Sequence, residues 1–287
     1  MKVDRFRVRS GDTDVLRKHS PGKTPGLGRE KAAEKLRRGI ERLRERQELL
    51  YAHDRYALLL VFQGMDASGK DSVIKHVMSG INPQSTRVHA FKAPSGDEQD
   101  HDFLWRVSRE LPPRGNIGIF NRSHYEEVLT VRVHPNILAA EQLPHGHVTS
   151  KIWEERFEDI RNFERYLFRN GTIIRKFFLY VSRGEQRKRM LERIDDPTKN
   201  WKFRAGDLDD RAKWKAFMSA YSEAMAATSR EHAPWYVIPA DHKWYARAVV
   251  AEIVMKAIED LDLTFPKLTK SQQADLVNSR RRLIKDR

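Results

Sequence analysis

Apolar residues along this chain come in short runs, separated by longer stretches in which they recur at helical spacing. Tyr56–Gln63 (YALLLVFQ) is almost continuously apolar, the pattern of a strand covered on both faces. Val88–Phe91, Ile117–Phe120, Thr172–Val181 and Trp235–Ile238 are further strand candidates. Between the strands, Glu30–Leu50 is rich in Ala, Leu, Glu, Arg and Lys, with Leu36, Ile40, Leu43 and Leu50 at helical spacing. Trp153, Phe157, Ile160 and Leu167 share a face over 151–170 in the same way. Alternation of strand and helix predicts an α/β fold, a parallel sheet with helices on both sides. Ligands of such sheets bind beyond the carboxyl ends of the strands.

Three stretches depart from the alternation. Residues 1–28 are polar and carry Pro21, Gly22, Pro25, Gly26 and Gly28, so they read as an extended, flexible arm. Residues 183–215 are dense in charge with few apolar anchors, and read as paired helices hinged around Asp196–Pro197 and projecting from the sheet. From Phe265 the chain is basic and ends RRRLIKDR, a helix or a loose end. The expected organisation is thus an arm at 1–28, one domain at 29–265 with the charged module inside it, and a basic tail at 266–287.

Composition narrows the partners. A chain of 287 residues with 39% hydrophobic content can bury one large core. It has no cysteine, which excludes disulfides, thiolate metal sites and a cysteine nucleophile, and suits a reducing cytosol. The start, MKVDRFRVRSGDTD, has no apolar segment of a signal peptide, and no run approaches a membrane span, so a cytoplasmic location is expected. A formal net charge of +14 predicts attraction to a polyanion: nucleic acid, acidic lipid or polyphosphate.

The most specific chemistry lies at Gly64-Met65-Asp66-Ala67-Ser68-Gly69-Lys70, a G-x-x-x-x-G-K sequence. A strand ends at Gln63, and a helix with Val73, Ile74 and Val77 on its inner face begins near Asp71. Glycines let backbone amides curl around a phosphate, the helix N-terminus adds its positive end, and Lys70 supplies a point charge. Asp71 and Ser72 complete the loop; Asp71 stands where Ser or Thr would offer a hydroxyl to Mg²⁺. Asp66 would repel a bare anion, and makes sense if it holds or faces a metal bridging to phosphate. Its alternative is a carboxylate that caps local amides.

A second group of candidates follows the strand Ile117–Phe120. Asn121, Arg122 and Ser123 fall at its carboxyl end, on the same rim as the loop. Arg122 there can bridge transferring and accepting phosphates; its alternative is a salt bridge to Asp66 or Glu126. Of the adjacent Glu126 and Glu127 only one can face the site; the other would be solvated or capping. Lys92 and Arg132 occupy strand-end or loop positions suited to acceptor phosphates. His101, Asp102 and His134 read as structural, because phosphoryl transfer depends on positioning and charge neutralisation more than on proton transfer.

Together these motifs resemble the family-2 polyphosphate kinases. GMDASGKD (64–71) matches their Gly-x-Asp-x-x-Gly-Lys loop, and IGIFNRSHYEEVLTVRVHP (117–135) matches their Asp-Arg-Ser motif. The segment 183–215 corresponds to their arginine-rich lid, and the resemblance runs from about residue 30 to 260. It implies a thymidylate-kinase-like P-loop core: a three-layer sandwich with a five-stranded parallel sheet and a helical lid. It implies Mg²⁺, with Mn²⁺ able to substitute, and exchange of phosphate between inorganic polyphosphate and purine nucleoside mono- and diphosphates. Assembly as a dimer or tetramer is implied as well.

Asn121 stands where many members carry Asp. Asn-Arg-Ser followed by Tyr-Glu-Glu looks like the subgroup that accepts both mono- and diphosphates. The resemblance then assigns part of the missing carboxylate's role to Glu126, and leaves open whether Asn121 meets metal directly or through water. It also points to Asn82 near the acceptor nucleotide and to Arg183 and Arg187 of the lid at the transition state. The rivals are an ATP-dependent nucleoside or nucleotide kinase of the same fold and a basic P-loop protein that grips nucleic acid. Asp66, Asp71 and the positive charge stand against the first. The second lacks any recognisable nucleic-acid module, so no nucleic-acid partner is expected.

Overall fold

The computed structural model describes residues 1–286. At its centre the almost wholly apolar run becomes β1 (Ala57–Gln63), buried at every position. The other strands are β2 (Thr86–Ala90), β3 (Ile117–Asn121), β4 (Thr172–Tyr180) and β5 (Trp235–Pro239), and the sheet order is β2-β3-β1-β4-β5 with every neighbour parallel. Its helices, in chain order, are α1 (Arg29–His53), α2 (Lys70–Val77), α3 (Trp105–Ser108), α4 (Thr130–Val133), α5 (Pro135–Ala140) and α6 (Ile152–Arg169). They continue with α7 (Arg183–Asp195), α8 (Gly206–Ala212), α9 (Trp214–Thr228), α10 (Lys243–Glu259) and α11 (Lys270–Lys285). α1 and α2 pack on α10, which also packs on β4 and β5, whereas α6 packs on β4 and α9. The result is a three-layer sandwich with the core in its two helix–sheet seams.

Register fixes where a ligand can sit. Phe62 of β1 pairs with Asn121 of β3, and Ala90 of β2 pairs with the same Asn121, so three strands end level on one rim. The chain leaves β1 there as the glycine loop and enters α2 directly. No helix among the described residues is long and apolar enough to cross a membrane.

The arm corrects the sequence reading, because it is held rather than loose. Val3, Phe6, Val8 and Val15 are buried, Arg7 forms an antiparallel bridge with Tyr236, and the Val8 amide donates to the Trp235 carbonyl at 2.9 Å. Pro21 and Pro25 accept from the Asp241 amide and the Tyr245 hydroxyl. Four apolar anchors spread through a polar stretch are enough to cover the β5 edge, but have no period by which to be recognised. β2 also begins earlier than its apolar pattern suggests, and Val88 on this edge strand is half exposed. The charged module does form two helices, α7 and α8, yet α7 does not project: Gln186, Arg189 and Met190 are buried under it. The tail forms α11, closed at its start by a Thr269–Gln272 capping box and exposed at every residue.

Candidate active site

Only glycine fits the start of the loop. Gly64 has φ +152°, and a Cβ there would lie 2.9 Å from the Leu179 carbonyl oxygen and 2.8 Å from Ser68 Oγ. Ala67 (φ 59°) and Gly69 (φ 103°) also take left-handed backbone, which curls the chain into a cradle. Lys70 lies buried beneath it and donates to the Gly64 carbonyl at 2.6 Å and the Met65 carbonyl at 3.4 Å. Burial, then the neighbouring Arg122, brings its ammonium down to about 8. The hydroxyl of Ser68 is buried without a partner, while that of Ser72 accepts from Arg247 of α10 at 2.8 Å.

Across the rim, Arg122 follows β3 with φ 63° and donates its amide to the Phe62 carbonyl at 3.0 Å. Its guanidinium donates to Asp66 Oδ1 at 2.6 Å and to Glu126 Oε2 at 3.3 Å. Glu126 and Asp66 raise its already high pKa against the opposing effect of burial. Both readings of Arg122 therefore describe one group: a cation aimed at the phosphate cradle and held there by two carboxylates. Glu126 also accepts from Thr130 Oγ1 at 2.5 Å, and the Gln63 amide, turned to suit its neighbours, donates to it at 2.9 Å. Asn121 Nδ2 donates to Asp71 Oδ1 at 2.7 Å, so its amide is committed to that carboxylate.

The turn carrying Glu126 is anchored from behind. Ser123 caps it by accepting from the Tyr125 amide at 3.2 Å. The Tyr125 hydroxyl meets Glu164 of α6 at 2.8 Å and Lys176 of β4 at 2.8 Å, and Lys176 pairs with Glu164 at 2.6 Å, all fully buried. Glu127 corrects the sequence reading: it is neither solvated nor capping but buried, with Oε1 3.1 Å from Arg156 Nε. Burial, then the nearby Glu141, pushes its carboxyl up to about 7.

The remaining candidates divide. Lys92, two residues past β2, is exposed on the rim. Arg132 sits on α4, pairs with Glu223 at 2.5 Å and lies over the Trp153 ring. Asn82 does not join them. It precedes β2, whose Thr86 is level with Ile117 and hence with Leu58 at the start of β1, so Asn82 belongs to the opposite edge of the sheet. There it caps a short turn and its carbonyl accepts from Gln47. Arg183 and Arg187 are exposed on α7. His101 stacks on Trp105, and His134 is bonded to Asp210 of α8 at 2.7 Å. Asp207 of α8 is raised to about 6 by burial and then by Asp66, which brings the second lid helix into the electrostatics of the cradle.

Two polar residues of α7 pack on the loop in a way sequence reasoning did not foresee: Arg189 reads from the sequence only as one of the charges of the lid, and Gln186 was missed. Gln186 donates to the Asp66 carbonyl at 3.0 Å; Arg189, only 4% exposed, donates to the carbonyls of Ala67 and Ser68 at 3.1 and 2.9 Å. Their spacing, with Met190, is that of one helix face, but two polar residues in a charged run look like solvated surface.

Strand, glycine cradle, buried lysine and helix, with an arginine on the adjacent strand end, define a P-loop phosphotransferase on a parallel α/β sheet. The chain belongs to the polyphosphate kinase 2 family, whose match covers residues 26–266. It is 49% identical over 287 residues to the ADP-polyphosphate phosphotransferase of Rhodopseudomonas palustris, covering 99% of each chain. It is 43% identical to the AMP/ADP-polyphosphate phosphotransferase of Meiothermus ruber over 92% of this chain and 96% of that one. The crystal structure of polyphosphate kinase 2 from Arthrobacter aurescens superposes with a TM-score of 0.84, at 39% identity over 95% of both chains.

Proposed function

We propose that this chain transfers phosphate reversibly between inorganic polyphosphate and nucleotides, converting ADP to ATP and also AMP to ADP, by direct in-line displacement. The observation that carries the donor assignment is likeness along the whole chain to phosphotransferases named for polyphosphate. The cradle suits the terminal phosphate of such a donor, with Lys70 beneath it and free amides around it. Arg122 moves between Asp66, Glu126 and the phosphates, offsetting the charge that develops on the oxygens in transit. Arg183 and Arg187 on the outer face of α7 extend the positive surface along the donor, and Lys92 and Arg132 serve the acceptor. One phosphoanhydride replaces another, so concentrations set the direction.

Mg²⁺, or Mn²⁺ in its place, belongs to the same proposal. Asp66, Asp71 and Glu126 present hard carboxylate oxygens at the cradle, the donors such ions take. Among the described residues no three groups converge into a ready cage, which suits an ion held by one or two carboxylates together with phosphate oxygens. Asp66 and Glu126 are the proposed holders; Asn121 acts through Asp71, whose carboxylate its amide orients. When bound, the ion neutralises phosphate charge. Acceptance of AMP rests on Asn121 and Glu126 together, and a cytoplasmic location on where nucleotide pools lie. Assembly as a dimer or tetramer is part of the same proposal.

Nucleotide analysis tests it: purified protein with Mg²⁺, long-chain polyphosphate and either ADP or AMP, with Lys70→Ala alongside. ATP from ADP and ADP from AMP, both lost in the variant, are expected. Product from ADP alone would reject the role given to Asn121 and Glu126. Turnover only with ATP as donor would move the chain to the nucleotide kinases.

A further inference from the structure

We propose that Gln186 and Arg189 on the inner face of α7 are positioning residues of the phosphate loop, holding three consecutive carbonyls outward so that its amides face the anion. The proposal deepens the function above and rests on it for the identity of that anion. Gln186 takes the carbonyl of Asp66, and Arg189 takes those of Ala67 and Ser68. A peptide unit is planar and trans, so fixing a carbonyl oxygen fixes the next residue's N–H on the opposite side. The amides so directed are those of Ala67, Ser68 and Gly69. Ser68 spends its N–H on the Met65 carbonyl at 3.0 Å, closing the turn. Those of Ala67 and Gly69 remain for phosphate oxygens.

Arginine is required by the number of acceptors. Besides the two loop carbonyls, Arg189 donates to the carbonyls of Ala240 and Asp241 after β5, at 2.6 and 3.0 Å, and to Glu185 at 2.8 Å. These contacts use every nitrogen of the planar fork, whereas lysine offers three donors from one point. The loop, the end of β5 and the first lid helix therefore share a single buried cation. Gln186 passes the connection onward: its carbonyl oxygen accepts from Arg211 of α8 at 2.7 Å, and Arg211 also donates to the Arg183 carbonyl at 2.8 Å. α7 is thus fixed to the cradle, with Arg183 and Arg187 held in register with it, and lid motion is left to the segment after Asp195.

Titration calorimetry with tripolyphosphate, without nucleotide, tests the proposal on the full-length chain, with thermal unfolding recorded for each variant. Arg189→Lys is expected to fold and to bind about tenfold more weakly, the loss for a misdirected charge-assisted contact. Gln186→Met, which keeps the volume, is expected to lose affinity several-fold with little change in Tm. Millimolar guanidinium should recover part of the affinity in Arg189→Ala, which a purely structural role would not produce. Wild-type affinity in folded Arg189→Lys or in Gln186→Met would overturn the proposal, and the second variant decides it if the first does not fold. If the wild type binds ATP but not tripolyphosphate, the donor assignment fails instead. The same variants are then titrated with ATP, where unchanged affinity again overturns the positioning role.

Discussion

At Gly64 one hydrogen atom decides whether the cradle exists. Its φ of +152° disfavours any L side chain, and besides Ser68 Oγ at 2.8 Å a Cβ would meet the Leu179 carbonyl at 2.9 Å, which is backbone that cannot swing aside. Gly64→Ala should therefore cost ~1–3 kcal/mol in stability and abolish tripolyphosphate binding; urea unfolding and calorimetry on one preparation check both. Lys70 makes a pH-dependent prediction. Burial is the first cause of its fall from 10.5 to about 8. Below pH 8 the folded chain carries the whole penalty of a buried ammonium. Between about 8 and 10.5 the unfolded chain binds more protons than the folded one, so this residue makes stability rise with pH in that window. An anion in the cradle restores the charged form. Binding of tripolyphosphate at pH 9 should then take up protons, and affinity should weaken as pH rises through about 8. Calorimetry in buffers of different ionisation enthalpy would detect the uptake, and Lys70→Met should show none.

The elements show why some of this was legible in the sequence and some was not. β1, β3, β4 and β5 were readable because strands buried on both faces are apolar runs, and the loop was readable because its glycines are required at fixed places. Asp66, Lys70 and Arg122 followed from two strand ends on one rim, whereas Glu126 was chosen over Glu127 by the family resemblance. The buried turn support did not follow, since Tyr125, Glu164 and Lys176 lie on three elements far apart in sequence and each alone resembles surface. Glu127 misled for a similar reason: its partner Arg156 comes from α6. The Glu164–Lys176 pair can be tested as an element-level brace. Removing one partner leaves the other charge buried, so Lys176→Met should lose ~3–5 kcal/mol in urea unfolding, and Lys176→Met with Glu164→Leu should recover much of it. If the single variant unfolds no more easily than the wild type, β4 and α6 are joined by apolar packing alone.

Across the whole molecule the +14 charge is unevenly spread. Residues 267–287 hold seven Lys and Arg against two Asp; Lys270, Arg280, Arg281, Arg282 and Lys285 lie on α11, a helix exposed throughout that also carries Leu276, Val277, Leu283 and Ile284 on its surface. Its place in the fold separates two uses of charge. α10 starts at the rim, where the Asp241 carbonyl meets Arg189, and runs to the far edge. There His53, just before β1, meets the Thr264 carbonyl at 3.2 Å. α11 therefore begins at the edge opposite the cradle; a short anion in the cradle would not meet that edge, whereas a long chain lying over the surface would. Ending the chain after Phe265 should leave Tm and tripolyphosphate affinity unchanged, because no residue of α11 is buried. Affinity for long-chain polyphosphate should fall, and its dependence on salt should become shallower, as fewer cations release counterions. Binding of both chain lengths across a salt series, with light scattering to follow assembly, would separate these effects. Equal losses for short and long chains would place α11 in the working site of an assembled form. Loss for neither would leave its charge without a part in donor binding.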